Sequence, residues 1–344
     1  MHLIAVIRAD VRIIVAATKP ALRASVLLGA VGLHAVSAQP AVVPFDPQLI
    51  APTVDSLARV IQQEYFDVSL AARVDAALRA AAAEGQYASV VSREALAERL
   101  TRDLYAQTHD KHLAVTVRRA PDGAPQGGRP AAGQRNQPTI TGFRHVESLA
   151  GNVGYLDLTM FLRPAEHRDA LAWAMQTLDT ADALILDMRD NSGGSPATVA
   201  LLMSYLFDQP TLPLFDIIPR SGAIETYATE PALAAMRRNG TRPIWVLTSS
   251  RTFSGWEGLA FLLQERHRAQ VVGEPTAGAA NPGRPYPVND AFEVTVPNGH
   301  IRSAIKGGNW EGDGVTPDVN VPATTALDVA LDRARQALRS RANP

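Results

Sequence analysis

The sequence contains no cysteine. That excludes disulfides, a thiol nucleophile and thiolate metal sites, and it fits an oxidising compartment. Net charge is nearly absent too, −1 over 344 residues. With no excess of either sign, neither nucleic acid nor an anionic membrane surface is expected as a partner. Outside the N-terminus there is no apolar run long enough to span a bilayer. The signatures of nucleotide binding are missing as well. No Gly-Lys-Ser/Thr closes a phosphate loop, and no G-x-G-x-x-G follows a strand. No cofactor and no metal site is therefore expected.

What is present begins with a targeting pattern. Lys19 and Arg23 precede an apolar run from Ala24 to Val36, followed by Val36-Ser37-Ala38-Gln39. A basic region, a short apolar stretch and a small-x-small site make residues 1–38 a signal peptide, cleaved after Ala38, or an uncleaved N-terminal anchor. The expected location is periplasmic or secreted, with a membrane tether through the N-terminus in the uncleaved case. An ordinary buried helix is the competing reading, but Gln39-Pro40 and the polar stretch behind it oppose it.

Residues 48–118 read as a helical N-terminal domain. Val54, Leu57, Val60 and Ile61 recur at helical spacing, Val74, Leu78 and Ala82 mark a second face, and Leu96, Leu100 and Leu104 a third after Ser92. A three-helix bundle follows. Residues 119–138 are rich in Gly, Pro, Gln and Arg and read as a linker. From residue 139 to 344 strands and helices alternate. Apolar strands are expected at 153–158, 183–188, 244–248 and 270–273, with helices at 167–178, 197–207, 255–265 and 325–341. Phe292–Val296 and Ile301–Ile305 flank Pro297-Asn298-Gly299, a hairpin signal. The alternation predicts an α/β domain with a mixed-sheet core and flanking helices.

Four segments carry candidate chemistry. An apolar strand ends at Thr248 and a helix begins near Ser254, so this serine stands at the carboxyl end of a strand and at a helix N-terminus. A nucleophile there can share its own N–H with an oxyanion hole, although a serine at that place also serves as a plain helix cap. Thr252 occupies the first glycine position of a G-x-S-x-G elbow, so that motif is absent. Gly193-Gly194 follows a second strand and lets backbone approach a ligand closely. Glu311 lies in a Gly- and Pro-rich loop and is a candidate to orient a base, or a solvated loop acid. His112 closes the helical region and is the candidate general base, or a surface histidine at a helix end. Trp256 and Trp310 read as packing residues rather than pocket walls.

Together these segments resemble the tail-specific, or C-terminal processing, serine peptidase family. The motifs are Gly154-Tyr155-Leu156, the Asp187-to-Gly194 turn, Thr252-Phe253-Ser254 with Glu257, Gly273-Glu274-Pro275-Thr276-Ala277-Gly278, and Gly314-Val315-Thr316-Pro317-Asp318. The gap between His112 and Thr139 is too short for an inserted PDZ domain, so the likeness is to the PDZ-less branch, similar to interphotoreceptor retinoid-binding-protein-like and tricorn-core members. The resemblance implies a crotonase-like or ClpP-like α/β core. It also implies Ser254 as nucleophile, His112 as base, Glu311 on the base side, and an oxyanion hole from Gly193 or Gly194 with Gly255. The lysine of the processing branch is missing, since Ala279 and Ala280 follow Gly278. The serine that precedes the histidine in tricorn-like members is replaced by Lys111. The expected partner is a peptide or protein substrate. Two rivals are a carrier of apolar, retinoid-like ligands on the same fold and an esterase of the α/β-hydrolase class, the latter opposed by the order His…Ser…Glu.

Overall fold

The computed structural model describes residues 45–118, 142–159, 164–209, 211–231 and 240–342. The segments read as signal or anchor and as linker lie outside these residues. Among the described residues no helix is long and apolar enough to cross a membrane. The helices are α1 (Ile50–Glu64), α2 (Val68–Ala83), α3 (Arg93–Thr108), α4 (Pro164–Thr177), α5 (Pro196–Ser204), α6 (Gly255–Glu265) and α7 (Ala326–Ala342). The strands are β1 (Ala114–Val117), β2 (Phe143–Leu149), β3 (Val153–Leu158), β4 (Ala183–Asp187), β5 (Pro213–Pro219), β6 (Glu225–Ala228), β7 (Ile244–Thr248), β8 (Gln270–Gly273), β9 (Gly283–Pro287), β10 (Phe292–Pro297), β11 (Gly299–Ser303) and β12 (Val319–Asn320).

The central sheet is six-stranded and mixed, in the order β12-β8-β7-β4-β3-β2. Every neighbouring pair is parallel except β2 with β3. Strands β3, β4 and β7 are buried at every residue, because helices cover both faces, as a parallel sheet requires. Leu156, Leu184, Leu186 and Val246 face α4, α5 and α6. Tyr155, Ile185, Trp245 and Leu247 face α7, where Ala326, Ala330 and Ala334 are fully buried. Alanine at that four-residue spacing lets α7 lie close on the sheet. The α/β core with a mixed sheet expected from the sequence is what is found.

In the N-terminal part, Asp67 and Ser92 cap α2 and α3 by accepting the amides of Leu70 at 2.8 Å and Ala95 at 3.0 Å. The three apolar stripes close on one another around Leu57, Ile61, Val74, Leu78, Leu96 and Leu100. His109, at φ 55°, turns the chain out of α3 and leads it through His112 into β1. β1 pairs with β10, and β10 with β9, in a small antiparallel sheet. Phe292, Val294 and Val296 of β10 pack among the helices, so one core joins the helical part to the C-terminal half.

The hairpin expected across Pro297-Asn298-Gly299 does not form. β10 stays with β1 and β9, whereas β11 pairs with β5 in a separate three-stranded sheet. The polar groups of the would-be turn are taken by others. Pro297 and Asn298 accept from the amides of Phe66 and Arg220, and the Asn298 amide donates to Pro282. The chain crosses from one sheet to the other at the turn instead of folding back.

Candidate active site

Two loops leave the carboxyl ends of β4 and β7 side by side. Ser249 Oγ donates to the Arg189 carbonyl at 2.5 Å, Thr252 Oγ1 to the Met188 carbonyl at 2.9 Å, and the Phe253 amide to the Asn191 carbonyl at 3.2 Å. Asn191 in turn ties the first loop to β3 through Nδ2, bonded to the carbonyls of Leu158 and Thr159. The crevice over these strand ends is where open α/β sheets bind ligands.

Ser254 sits at the start of α6 with φ 58° and ψ −125°. That conformation is strained for a side-chain-bearing residue, and Glu257 holds it. The carboxylate of Glu257 is fully buried and accepts the Ser254 amide at 2.7 Å, the Thr276 hydroxyl at 2.6 Å, the Gly278 amide at 2.5 Å and the Ala279 amide at 3.0 Å. Burial raises its pKa, and these four donors oppose the rise.

His112 reaches across from the N-terminal part. Its Nε2 lies 2.9 Å from Ser254 Oγ, and its ring leans on Phe253 with centroids 4.9 Å apart. Burial lowers its pKa to about 4, so the imidazole is neutral at neutral pH. A neutral ring that accepts the serine proton at Nε2 carries its own hydrogen on Nδ1. Among the described residues Nδ1 has no hydrogen-bond partner.

Glu311 is not that partner. Its Oε2 accepts the amides of Ala280 at 2.6 Å and Asn281 at 3.0 Å, and its buried Oε1 has no partner among the described residues. Burial, with the nearby charge of Asp110, pushes its pKa up to about 7. The side chain expected to orient the base therefore grips the backbone beside the site.

Of the three glycines, Gly194 and Gly255 lie against each other and Gly193 is bonded elsewhere. Gly193 has φ +133°, and its amide donates to Asn191 Oδ1 at 3.2 Å, so it is already engaged. Gly255 and Gly194 are pressed together: a Cβ on Gly255 would stand 2.3 Å from the Gly194 carbonyl oxygen. As the first residue of α6, Gly255 has an N–H with no intrahelical acceptor. Lys111 Nζ donates to the Ala277 carbonyl, in the loop that follows β8.

A cavity of about 340 Å³ opens beside Ser254. Beyond His112, the glycines and the hydroxyl residues Ser192, Ser195 and Ser254, its wall is apolar, made chiefly by Val199, Phe215, Leu262, Ile301 and Trp310. Trp310 is buried, donates through Nε1 to the Ala279 carbonyl at 2.8 Å and also forms a wall of the cavity. Trp256 is buried in the core behind the site.

With this geometry in view, similarity to known proteins is decisive. The family profile Peptidase family S41 matches residues 152–321, and the profile for the N-terminal domain of peptidase S41 in eukaryotic IRBP matches residues 35–143. The chain belongs to peptidase family S41. This S41 chain is 29% identical over 178 residues to the chloroplastic carboxyl-terminal-processing peptidase 2 of Arabidopsis thaliana, covering 51% of the chain and 33% of that protein. It is 33% identical over 146 residues to a carboxyl-terminal-processing protease of a Synechocystis species, covering 42% and 32%. It thus spans about a third of the length of these relatives. Among solved structures, a candidate peptidase from Parabacteroides merdae aligns with TM-score 0.57 at 16% identity, over 83% of this chain and 96% of that one. A lipoprotein from Streptococcus agalactiae aligns with TM-score 0.54 at 13% identity, again over 83% and 96%. These two likenesses are of fold.

Two residues beside His112 and Ser254 were given no catalytic part in the reading of the sequence. Asp110 accepts the His112 amide at 3.0 Å, the Asn281 side chain at 3.1 Å and the Tyr65 hydroxyl at 3.3 Å. An Asp two residues before a candidate base is a usable signal, since Asp side chains bond the amide two residues on. For Asn281, which is 171 positions from its partner, the sequence carries no signal.

Proposed function

We propose that the protein is a serine-type peptidase that cleaves peptides or protein tails through an acyl-enzyme on Ser254. His112 Nε2 takes the hydroxyl proton as Oγ attacks the scissile carbonyl carbon. The amides of Gly255 and Gly194 receive the oxyanion, His112 returns the proton to the leaving amine, and water, deprotonated by the same ring, hydrolyses the ester. The observation that carries the reading is the 2.9 Å contact between His112 Nε2 and Ser254 Oγ, made by residues far apart in sequence. The depressed pKa of His112 supports a neutral base. The apolar cavity next to Ser254 suits an apolar side chain on the residue preceding the cut. Glu311 supports the base side indirectly, through the backbone it holds. An exported location, with the peptide substrate met outside the cytoplasm, belongs to the same proposal.

The rival reading, a carrier of apolar ligands on this fold, requires a pocket but no serine–imidazole contact, and that contact favours the enzyme. The test is Ser254→Ala against a quenched-fluorescence decapeptide library. Hydrolysis should fall by about three to six orders of magnitude with the fold intact. Undiminished hydrolysis, or labelling of a residue other than Ser254 by a fluorophosphonate, would refute the assignment.

A further inference from the structure

The four consecutive amides of residues 278–281 are all consumed by two carboxylates. Gly278 and Ala279 donate to Glu257, Ala280 and Asn281 to Glu311. Glu257 also holds the amide of Ser254, so this short segment is fastened to the nucleophile. Its far end carries the Asn281 side chain, whose Nδ2 donates to Asp110 Oδ2 at 3.1 Å.

Asp110 is 2% exposed and, among the described residues, has no cationic partner within ion-pair distance. Burying such a carboxylate is costly unless donors surround it. The donors are the Tyr65 hydroxyl, the Asn281 amide group and the backbone N–H of His112. One of the three belongs to the base itself, so the carboxylate shapes the turn that carries the imidazole. The ring itself is held by few specific interactions. Among the described residues these are the Ser254 contact and the tilted Phe253 ring, and Nδ1 has no hydrogen-bond partner. In a triad the orienting acid grips the ring; here the backbone of His112 is gripped instead.

We propose that Asp110 and Asn281 are positioning residues for the base: Asn281, anchored by Glu311, holds the Asp110 carboxylate, and that carboxylate sets the turn presenting His112 to Ser254. This rests on the peptidase reading above. Nucleophile and base are thereby referred to one short stretch of backbone, Ser254 through Glu257 and His112 through Asp110. A shift of about 1 Å between reacting groups can cost on the order of 100-fold in rate, so loosening either fastening should be felt in turnover before binding.

The experiment is Asn281→Ala, assayed with one quenched-fluorescence peptide that the wild type cleaves. We expect kcat to fall about 10- to 100-fold with KM unchanged. In the paired variant Asp110→Asn with Asn281→Asp, donor and acceptor trade places, and most of the loss should be recovered. A folded Asn281→Ala protein with kcat within about twofold of wild type overturns the inference. If that variant does not fold, Asn281→Ser and the paired exchange decide by the same criterion. A wild type that neither cleaves peptides nor reacts with a fluorophosphonate sinks the peptidase reading instead. The positioning claim is then read from the His112 Cε1 proton resonance in the same variant. A titration midpoint displaced from the wild-type value upholds it, and an unmoved midpoint overturns it.

Discussion

Glu257 accepts the backbone N–H of Ser254 at 2.7 Å, and so the amide of the nucleophile is withheld from the oxyanion and spent on fixing the nucleophile's own backbone. Replacing Glu257 with Ala leaves four donors facing a void. The variant should lose about 3–5 kcal/mol in urea unfolding, the range for breaking a buried charged contact. Glu257→Gln should fold, but its NH2 group cannot accept an amide hydrogen. Turnover at least about tenfold below wild type is expected for it; full activity would mean that the Ser254 conformation needs no such tie.

Gly255 touches the Gly194 carbonyl too closely for any side chain. A Cβ there would lie 2.3 Å from that oxygen, a distance that forces the two loops apart. Gly255→Ala should therefore lower kcat by about 100-fold or more, as expected for loss of an oxyanion donor. Stopped assays with a chromogenic ester would report it. A variant that retains wild-type kcat would remove Gly255 from the oxyanion hole.

The buried imidazole makes a clear statement about pH. His112 has its pKa lowered from 6.5 to about 4 by burial, and the base works only when unprotonated. kcat/KM, which reports the free enzyme, should stay level through pH 6 and fall below a midpoint near 4. A midpoint near 6.5 would show that water reaches the ring.

Glu311 predicts the opposite trend in stability. Its pKa is raised from 4.5 to about 7, so the folded protein binds this proton more tightly than the unfolded chain does. The stabilisation is complete below pH 4.5 and is lost as pH rises through 7. Glu311→Gln mimics the protonated state, so its melting temperature relative to wild type should improve between pH 5 and pH 8. His112 titrates alike in both proteins and cancels in the difference. A difference that does not vary with pH would mean that Glu311 is ionised in the fold.

Much of this was legible in the residues, and the misses share a cause. Strands β3, β4 and β7 announce themselves because both of their faces are buried and they read as unbroken apolar runs. Ser254 and the glycines are legible because strand-to-helix junctions have local grammar. β9 is not, because Pro285 and Pro287 argue against a strand, and its place comes from β10 alongside it. The hairpin between β10 and β11 fails for a related reason: turn chemistry is local, but its carbonyls were claimed by Phe66 and Arg220 from distant segments. Glu311 was legible as a site acid, while its role depends on whether it faces an imidazole or an amide, and that is a matter of ångströms. Asn281 looks like any loop asparagine until Asp110 is beside it.

β9 is an outer strand of the small sheet, and prolines stand at two of its five positions. Proline has no amide hydrogen, and within sheets it is confined to edges where that hydrogen would point outward. The rim therefore offers carbonyls but few donors to an arriving strand. That border is thereby protected from being copied by another extended chain, and concentrated solutions of the protein should resist edge-to-edge aggregation through β9.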